Sequence, residues 1–339
     1  MKSWFTRINL LAVILAFGVV TLGAYVRLSD AGLGCPDWPG CYGQLLAPHA
    51  DHDEALEAFP GAQIDTGTAW TEMIHRYVAG ILGLLILALA LIALVNRRDP
   101  GQQVKLPLFL VLLVTFQALL GMWTVTHLVA PNIVTLHLLM GMLTLGLLWW
   151  QYLKSRDTGP AYSNSLPAMN LKPWAMIALA VVFTQIALGG WVSTNYAALH
   201  CADDFPKCQE SWWPPMEFED AFDIFHEPGV NYEGGQLESE QRVAIHVVHR
   251  IGAVVTLLYI GLLGLLASKR SNWVYRGAGH ALLFFVVAQF LLGISNVIYV
   301  LPLPLAVAHN GGAALLLLSV IYLNYKIRQI KVSIITTGD

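Results

Sequence analysis

Charge is what this chain lacks. Only 12% of its 339 residues are Asp, Glu, Lys or Arg, about half the share in soluble domains. So few charges cannot cover the surface of a soluble protein of this size. Positive charge is in no excess either: the formal net charge is −3, which excludes a nucleic-acid partner that selects clustered Lys and Arg. Cysteine is absent from every long apolar stretch; all four copies lie between such stretches.

What is present is apolar surface, 56% of residues, at a mean hydropathy of +0.58. It falls into eight runs, about 8–26, 73–95, 106–125, 131–152, 174–194, 243–267, 278–300 and 304–325. Each has the roughly 20 residues that carry a helix across ~30 Å of hydrocarbon. Lys2 and Arg7 precede the first run as they would a signal peptide. That run is too long for such a segment and lacks an A-x-A-like cleavage site, so it reads as the first span. The expected fold is an all-α integral membrane protein of eight transmembrane helices.

Lys and Arg partition by side. Fourteen of the 19, from Lys2 and Arg7 through Arg97, Lys154 and Lys269 to Lys331, fall on one side. The positive-inside rule makes that side cytoplasmic and puts both termini there, as in a multi-pass protein of a bacterial-type inner membrane. Two long acidic loops, about 27–72 and 195–242, then lie outside. They hold Cys35 with Cys41 and Cys201 with Cys208. An outer compartment permits disulfides, so each pair reads as a loop staple, a redox-active pair or, lacking CxxC spacing, a weaker zinc site.

The chain repeats itself. His75-Arg76 recurs as His249-Arg250, Gln117-x-x-Leu120-Gly121 as Gln289-x-x-Leu292-Gly293, and His137 as His309. Cys35 and Cys41 recur as Cys201 and Cys208, and Leu22-Gly23-x-x-Val26 as Leu188-Gly189-x-x-Val192. Four spans per unit preserve orientation, so the copies are parallel about a pseudo-two-fold along the membrane normal. The expected organisation is a four-helix bundle over 1–155, a cytoplasmic linker over 156–173, a second bundle over 174–330 and a cytoplasmic tail over 331–339.

Four histidines sit within these spans, near the outer ends of the second, fourth, sixth and eighth: His75, His137, His249 and His309. Ionisable groups in a membrane are expensive and mark function. Two imidazoles per bundle at one depth suit bis-histidine haem. Small residues follow four positions later (Ala79, Gly141, Ala253 and Ala313), which leaves room for a flat macrocycle or serves helix packing. Arg76 and Arg250 are placed either to pair with haem propionates or to snorkel. Glu72 lies three residues before His75, where the second half has His246. A carboxylate there can accept a proton, or merely charge a helix start. The asymmetry suggests chemistry in the first bundle and electron transfer in the second. His49, His52, His200 and His226 read as solvated loop residues, and His127 and His280 carry no site signal. The acidic 210–240 stretch holds no readable motif.

The Glu72-Met73-Ile74-His75-Arg76 motif, the Gly34-Cys35-Pro36-Asp37-Trp38-Pro39 segment with Cys41, and the four histidines together resemble the haem A synthase family over nearly the whole chain. The resemblance implies oxidation of one ring methyl group of haem O to a formyl group through successive hydroxylations, which supplies haem A to terminal oxidases. It implies that His75 and His137 hold substrate haem O, that His249 and His309 hold a resident haem b, and that Glu72 is catalytic. It also implies partners in a haem O synthase and oxidase assembly factors, with homo-oligomerisation left open. The competing reading is a dihaem b-type electron-transfer cytochrome, which needs the same histidines but no Glu72 chemistry.

Overall fold

The computed structural model describes residues 2–48, 53–156, 162–163, 170–201, 205–329 and 331–332. His49, His52, most of the 156–173 linker and the tail beyond 332 lie outside these. Among the described residues the chain forms α1 (Lys2–Leu28), α2 (Asp53–Ala58), α3 (Thr66–Val95), α4 (Lys105–Thr126), α5 (Pro131–Ser155), α6 (Lys172–Thr194), α7 (Ser239–Ser268), α8 (Trp273–Ile298) and α9 (Leu303–Gln329). A parallel pairing of Tyr162–Ser163 with Lys331–Val332 is the only sheet among them. All helices but the six-residue α2 are long and apolar enough to cross a membrane.

Most spans outrun their apolar runs, and at α3, α7 and α8 polar caps satisfy the first backbone N–H groups ahead of the run. The Asp65 carboxylate accepts from the N–H groups of Gly67 and Thr68 at 2.8 and 3.3 Å, so α3 starts at Thr66 rather than near 73. Glu238 and Gln241 cap α7 reciprocally. Only α8 stops short, at Ile298 rather than 300.

The helices that end beside the long loops close in left-handed residues: Asp30 after α1, Leu128 and Val129 after α4, Tyr196 after α6, Val300 and Leu301 after α8. Each closure returns an N–H to a carbonyl five residues back: Ala31 to Val26, Ala197 to Val192, Val129 to Thr124 and Leu301 to Asn296, at 2.7–2.9 Å. So α1 ends as α6 does, and α4 as α8.

Packing follows the same correspondence. Helices α1, α3, α4 and α5 form one closed ring of neighbours, and α6, α7, α8 and α9 a second. The rings meet through α1 with α9, α5 with α6, and α5 with α9. Exchanging α1 with α6, α3 with α7, α4 with α8 and α5 with α9 leaves this list unchanged.

The main core occupies the membrane half nearer the termini, where Ile86, Leu89, Leu110, Leu145, Leu148, Ile260, Leu282 and Leu317 are fully or almost fully buried. Without a hydrophobic drive between helices in lipid, close packing and interhelical hydrogen bonds hold such a core. Asn324 on α9 supplies one bond, from Nδ2 to the Ala175 carbonyl of α6 at 2.6 Å. The loop-facing half is where both rings carry their histidines.

Candidate functional site: two histidine pairs beneath stapled loops

His75 and His249 stand about three turns into α3 and α7, and His137 and His309 about two turns into α5 and α9. His75 and His137 lie close enough to interact electrostatically, as do His249 and His309. The structure thus brings the predicted residues together two by two, one pair inside each ring. Each of the four histidines is half-buried as a residue.

Every one of these rings is packed against a glycine of the preceding membrane helix. A Cβ added at Gly23 would lie 3.0 Å from His75 Cε1; at Gly121, 3.6 Å from His137 Cε1; at Gly189, 3.2 Å from His249 Cε1; and at Gly293, 3.1 Å from His309 Cε1. The sequence reading saw these glycines as landmarks of duplication and sought room for a macrocycle at the residue four past each histidine. The missing signal was the cross-helix partner, which only packing supplies.

Three glutamines one turn before three of those glycines also went unread as site residues. Gln117 Nε2 donates to the His137 carbonyl at 3.2 Å, Gln185 Nε2 to the His249 carbonyl at 3.1 Å, and Gln289 Nε2 to the His309 carbonyl at 2.8 Å. The buried Nδ1 atoms of His75, His137 and His309 have no hydrogen-bond partner. Buried polar atoms without partners are rare and call for an explanation. Imidazoles paired within each ring, each resting on a glycine and three of them with an unpartnered buried Nδ1, fit an iron-bearing macrocycle held between two histidines.

Above each pair lies a small loop closed by a disulfide. Cys35–Cys41 and Cys201–Cys208 are both bonded, which decides against zinc; no cluster of three or more His, Cys, Asp or Glu gathers among the described residues. Gly34 lets the first loop press on α3: a Cβ there would meet the Thr68 carbonyl carbon at 2.6 Å.

Arginine ties each loop down. Arg76 Nη1 donates to the carbonyls of Asp37, Pro39 and Gly40 at 3.0, 3.3 and 2.6 Å, and Nη2 pairs with Glu72. Arg250 donates from Nη1 to the Pro206 and Lys207 carbonyls at 3.3 and 2.9 Å, and from Nη2 to the Cys201 carbonyl at 2.7 Å. Both guanidinium groups bond loop carbonyls, because a tight loop leaves carbonyls that its own N–H groups cannot reach. Lys cannot reproduce the planar fork. Arg76→Lys should leave the helices intact yet speed proteolytic cleavage within residues 30–48 about tenfold, as expected for losing one charge-assisted hydrogen bond. Arg250→Lys should do the same within 201–211. Limited proteolysis with mass mapping checks both, and cleavage unchanged in both variants sinks the assignment.

The halves differ where the sequence says they do. Glu72 is 5% exposed, and its Oε2 accepts the Cys35 N–H at 2.8 Å. Its counterpart His246 is 3% exposed and accepts at Nε2 from Arg250 Nε at 3.2 Å. Among the described residues, Glu72 is a buried carboxylate between the histidine helix and the disulfide-closed loop in the first ring, where the second ring has His246.

Two loop histidines are not solvated as expected. His226 packs edge-on between Trp191 and Tyr232, with ring centroids at 6.0 and 4.9 Å. Burial, then the nearby Arg242 charge, push the His200 imidazole below its ordinary value. His127 and His280 are exposed. The 210–240 stretch has structural work without a motif. The Ile224 carbonyl accepts from Asn132 Nδ2 of α5 at 2.9 Å, and Tyr232 N–H donates to the Leu128 carbonyl at 3.1 Å. This loop of the second half thus covers the loop-side ends of α4 and α5 in the first.

Comparison with known proteins agrees with this geometry. Over 326 residues the chain is 45% identical to the haem A synthase of Shewanella oneidensis, which covers 95% of this chain and 96% of that protein. It is 28% identical to the haem A synthase of Caulobacter vibrioides, over 93% of both chains. It is 25% identical to that of Paracoccus denitrificans, over 89% of this chain and 82% of that one. The family model described as cytochrome oxidase assembly protein matches residues 6–321, and with both histidine pairs and both stapled loops inside that span, the chain belongs to this family.

Proposed function

We propose that the chain is a haem A synthase, an oxidoreductase of the inner membrane that converts haem O to haem A by oxidising one ring methyl group to a formyl group. The observation that carries the reading is the asymmetry between two otherwise matching sites: buried Glu72 stands beside the first histidine pair, and His246 takes its place beside the second.

His75 and His137 hold the substrate haem O, and the first ring is the reaction bundle. His249 and His309 hold a resident haem b, whose iron supplies one-electron redox chemistry when bound. A ring methyl lies at the macrocycle edge, away from the iron, and with both His75 and His137 bound during the oxidation that iron would offer no free position for O₂. Water is then the oxygen donor: R–CH₃ and H₂O give R–CHO, four protons and four electrons, and the electrons leave to an external membrane electron acceptor. Glu72 accepts a proton from the methyl carbon or from the attacking water. The Cys35 N–H and Arg76 hold its carboxylate in place. The disulfide-closed loops cover each site, and the positively flanked termini lie in the cytoplasm.

The test is to purify the full chain from cells that also make haem O, extract the haems in acid, and identify them by chromatography and mass. Haem A, or a hydroxylated intermediate beside haem b, is the expected result. Haem b alone in both bundles, with haem O available, would point to an electron-transfer cytochrome instead.

A further inference from the structure

The pattern around the histidines is threefold, not fourfold. On the helix preceding each histidine helix the sequence reads Gln117-Ala-Leu-Leu-Gly121, Gln185-Ile-Ala-Leu-Gly189 and Gln289-Phe-Leu-Leu-Gly293, but Val19-Val-Thr-Leu-Gly23. The glycine that receives the imidazole is present all four times. The glutamine is missing only from α1, the helix against His75.

Its companion is missing too. Gly252 and Gly312, three residues past His249 and His309, make way for a glutamine: a Cβ at either would collide with the side-chain amide of Gln185 or Gln289. Gly141, four residues past His137 rather than three, does so for Gln117, whose Nε2 lies 3.2 Å from the Cβ position. At His75 the glutamine is replaced by Val19, and neither position that carries the glycine elsewhere has one: Val78 stands three residues past and Ala79 four.

The glutamine acts on the ligand residue itself. Its amide bonds the histidine carbonyl, which ties the histidine helix to its neighbour at the level of the ring. In the second ring the amide nitrogen also stands 3.0 Å from His249 Nδ1 and 3.4 Å from His309 Nε2. His137, His249 and His309 are clamped in this way. Among the described residues no glutamine makes such a bond to His75, since Val19 stands where it would come from.

We infer that His75 is the displaceable ligand of the four, with Val19 and Val78 in place of the clamp that would fix it, so that haem exchanges through the first bundle and is retained in the second. The inference rests on the proposed division between substrate and resident haem. A substrate must arrive and leave at each turnover, and a bis-histidine site opens once one ligand lets go. Gln117, Gln185 and Gln289 are then positioning residues, and one unclamped histidine is enough for exchange.

The experiment uses the detergent-solubilised full chain loaded with haem b in both bundles and challenged with excess apomyoglobin as a haem acceptor. The Soret change should show a fast and a slow phase. His75→Ala should remove the fast phase and His249→Ala the slow one. Val19→Gln with Val78→Gly should slow the fast phase about fivefold, the rate equivalent of one net hydrogen bond, and leave the slow phase alone. Gln185→Leu should speed the slow phase by a similar factor. If the double variant takes up haem and its fast phase is unchanged, the inference falls. If the double variant takes up no haem, Gln185→Leu decides, and an unchanged slow phase overturns it. A single phase in the parent protein overturns it as well. None of these rates requires methyl oxidation, so failure of the clamp and failure of the haem A synthase reading are separate results.

Discussion

Replacing Glu72 with Gln is expected to leave both haem sites filled and to cut haem A formation by about 10²–10⁴-fold, the range for losing a general acid–base group. Gln keeps the size of the side chain and one carbonyl oxygen that can accept the Cys35 N–H. What it loses is the negative charge and the capacity to take up a proton. The loop need not open, because Arg76 retains its bonds to the carbonyls of Asp37, Pro39 and Gly40. The ratio of haem A to haem O in acid extracts reads the chemistry, and the visible spectrum reads occupancy. A proteolysis pattern like that of the parent protein would show that the loop is still seated. Turnover at the parent rate would remove Glu72 from the mechanism. Loss of haem with loss of product would make it a structural residue of the first site.

The spans were legible because a membrane helix must satisfy its backbone internally and so appears as one long apolar run. Their ends were not, because Asp65 and Glu238 cap helices outside the hydrocarbon, where hydropathy gives no signal. The four histidines were legible through duplication, since each recurs at nearly constant offset with its neighbours. Their setting was less so. Gly23 and Gly189 were recognised as equivalent, but not as the surfaces on which His75 and His249 rest. Gln185 went unnoticed because its partner in the first half is Val19, so the comparison that found the repeat passed over it. Arg76 and Arg250 were read from the helix outward toward a ligand. Their carbonyl partners belong to loops whose fold no periodicity encodes.

Placing a branched side chain at Gly293 should empty the second haem site as completely as removing its ligand. A Cβ alone would lie 3.1 Å from His309 Cε1, and the two methyl groups of Val have no room unless the imidazole swings away. Gly293→Val and His309→Ala are therefore expected to share one phenotype: haem lost from the second bundle, haem kept in the first, and methyl oxidation stopped for want of the resident redox group. Gly293→Ala should be intermediate, since a shift of a few tenths of an ångström relieves it. It should keep the haem but alter its midpoint potential through the changed ring position. Helix stability cannot mimic this series, because Ala and Val both exceed Gly in helix propensity, Ala by roughly 0.8–1 kcal/mol. Gly261 of α7 is the control: a Cβ there meets nothing within 4 Å, and Gly261→Val should retain both haems. Haem content by pyridine haemochrome, with potentiometry on the Ala variant, checks the series. Full occupancy in Gly293→Val would mean that the imidazole does not need the surface it rests on, and the glycine–histidine pairing would then be a consequence of close helix packing rather than part of the site.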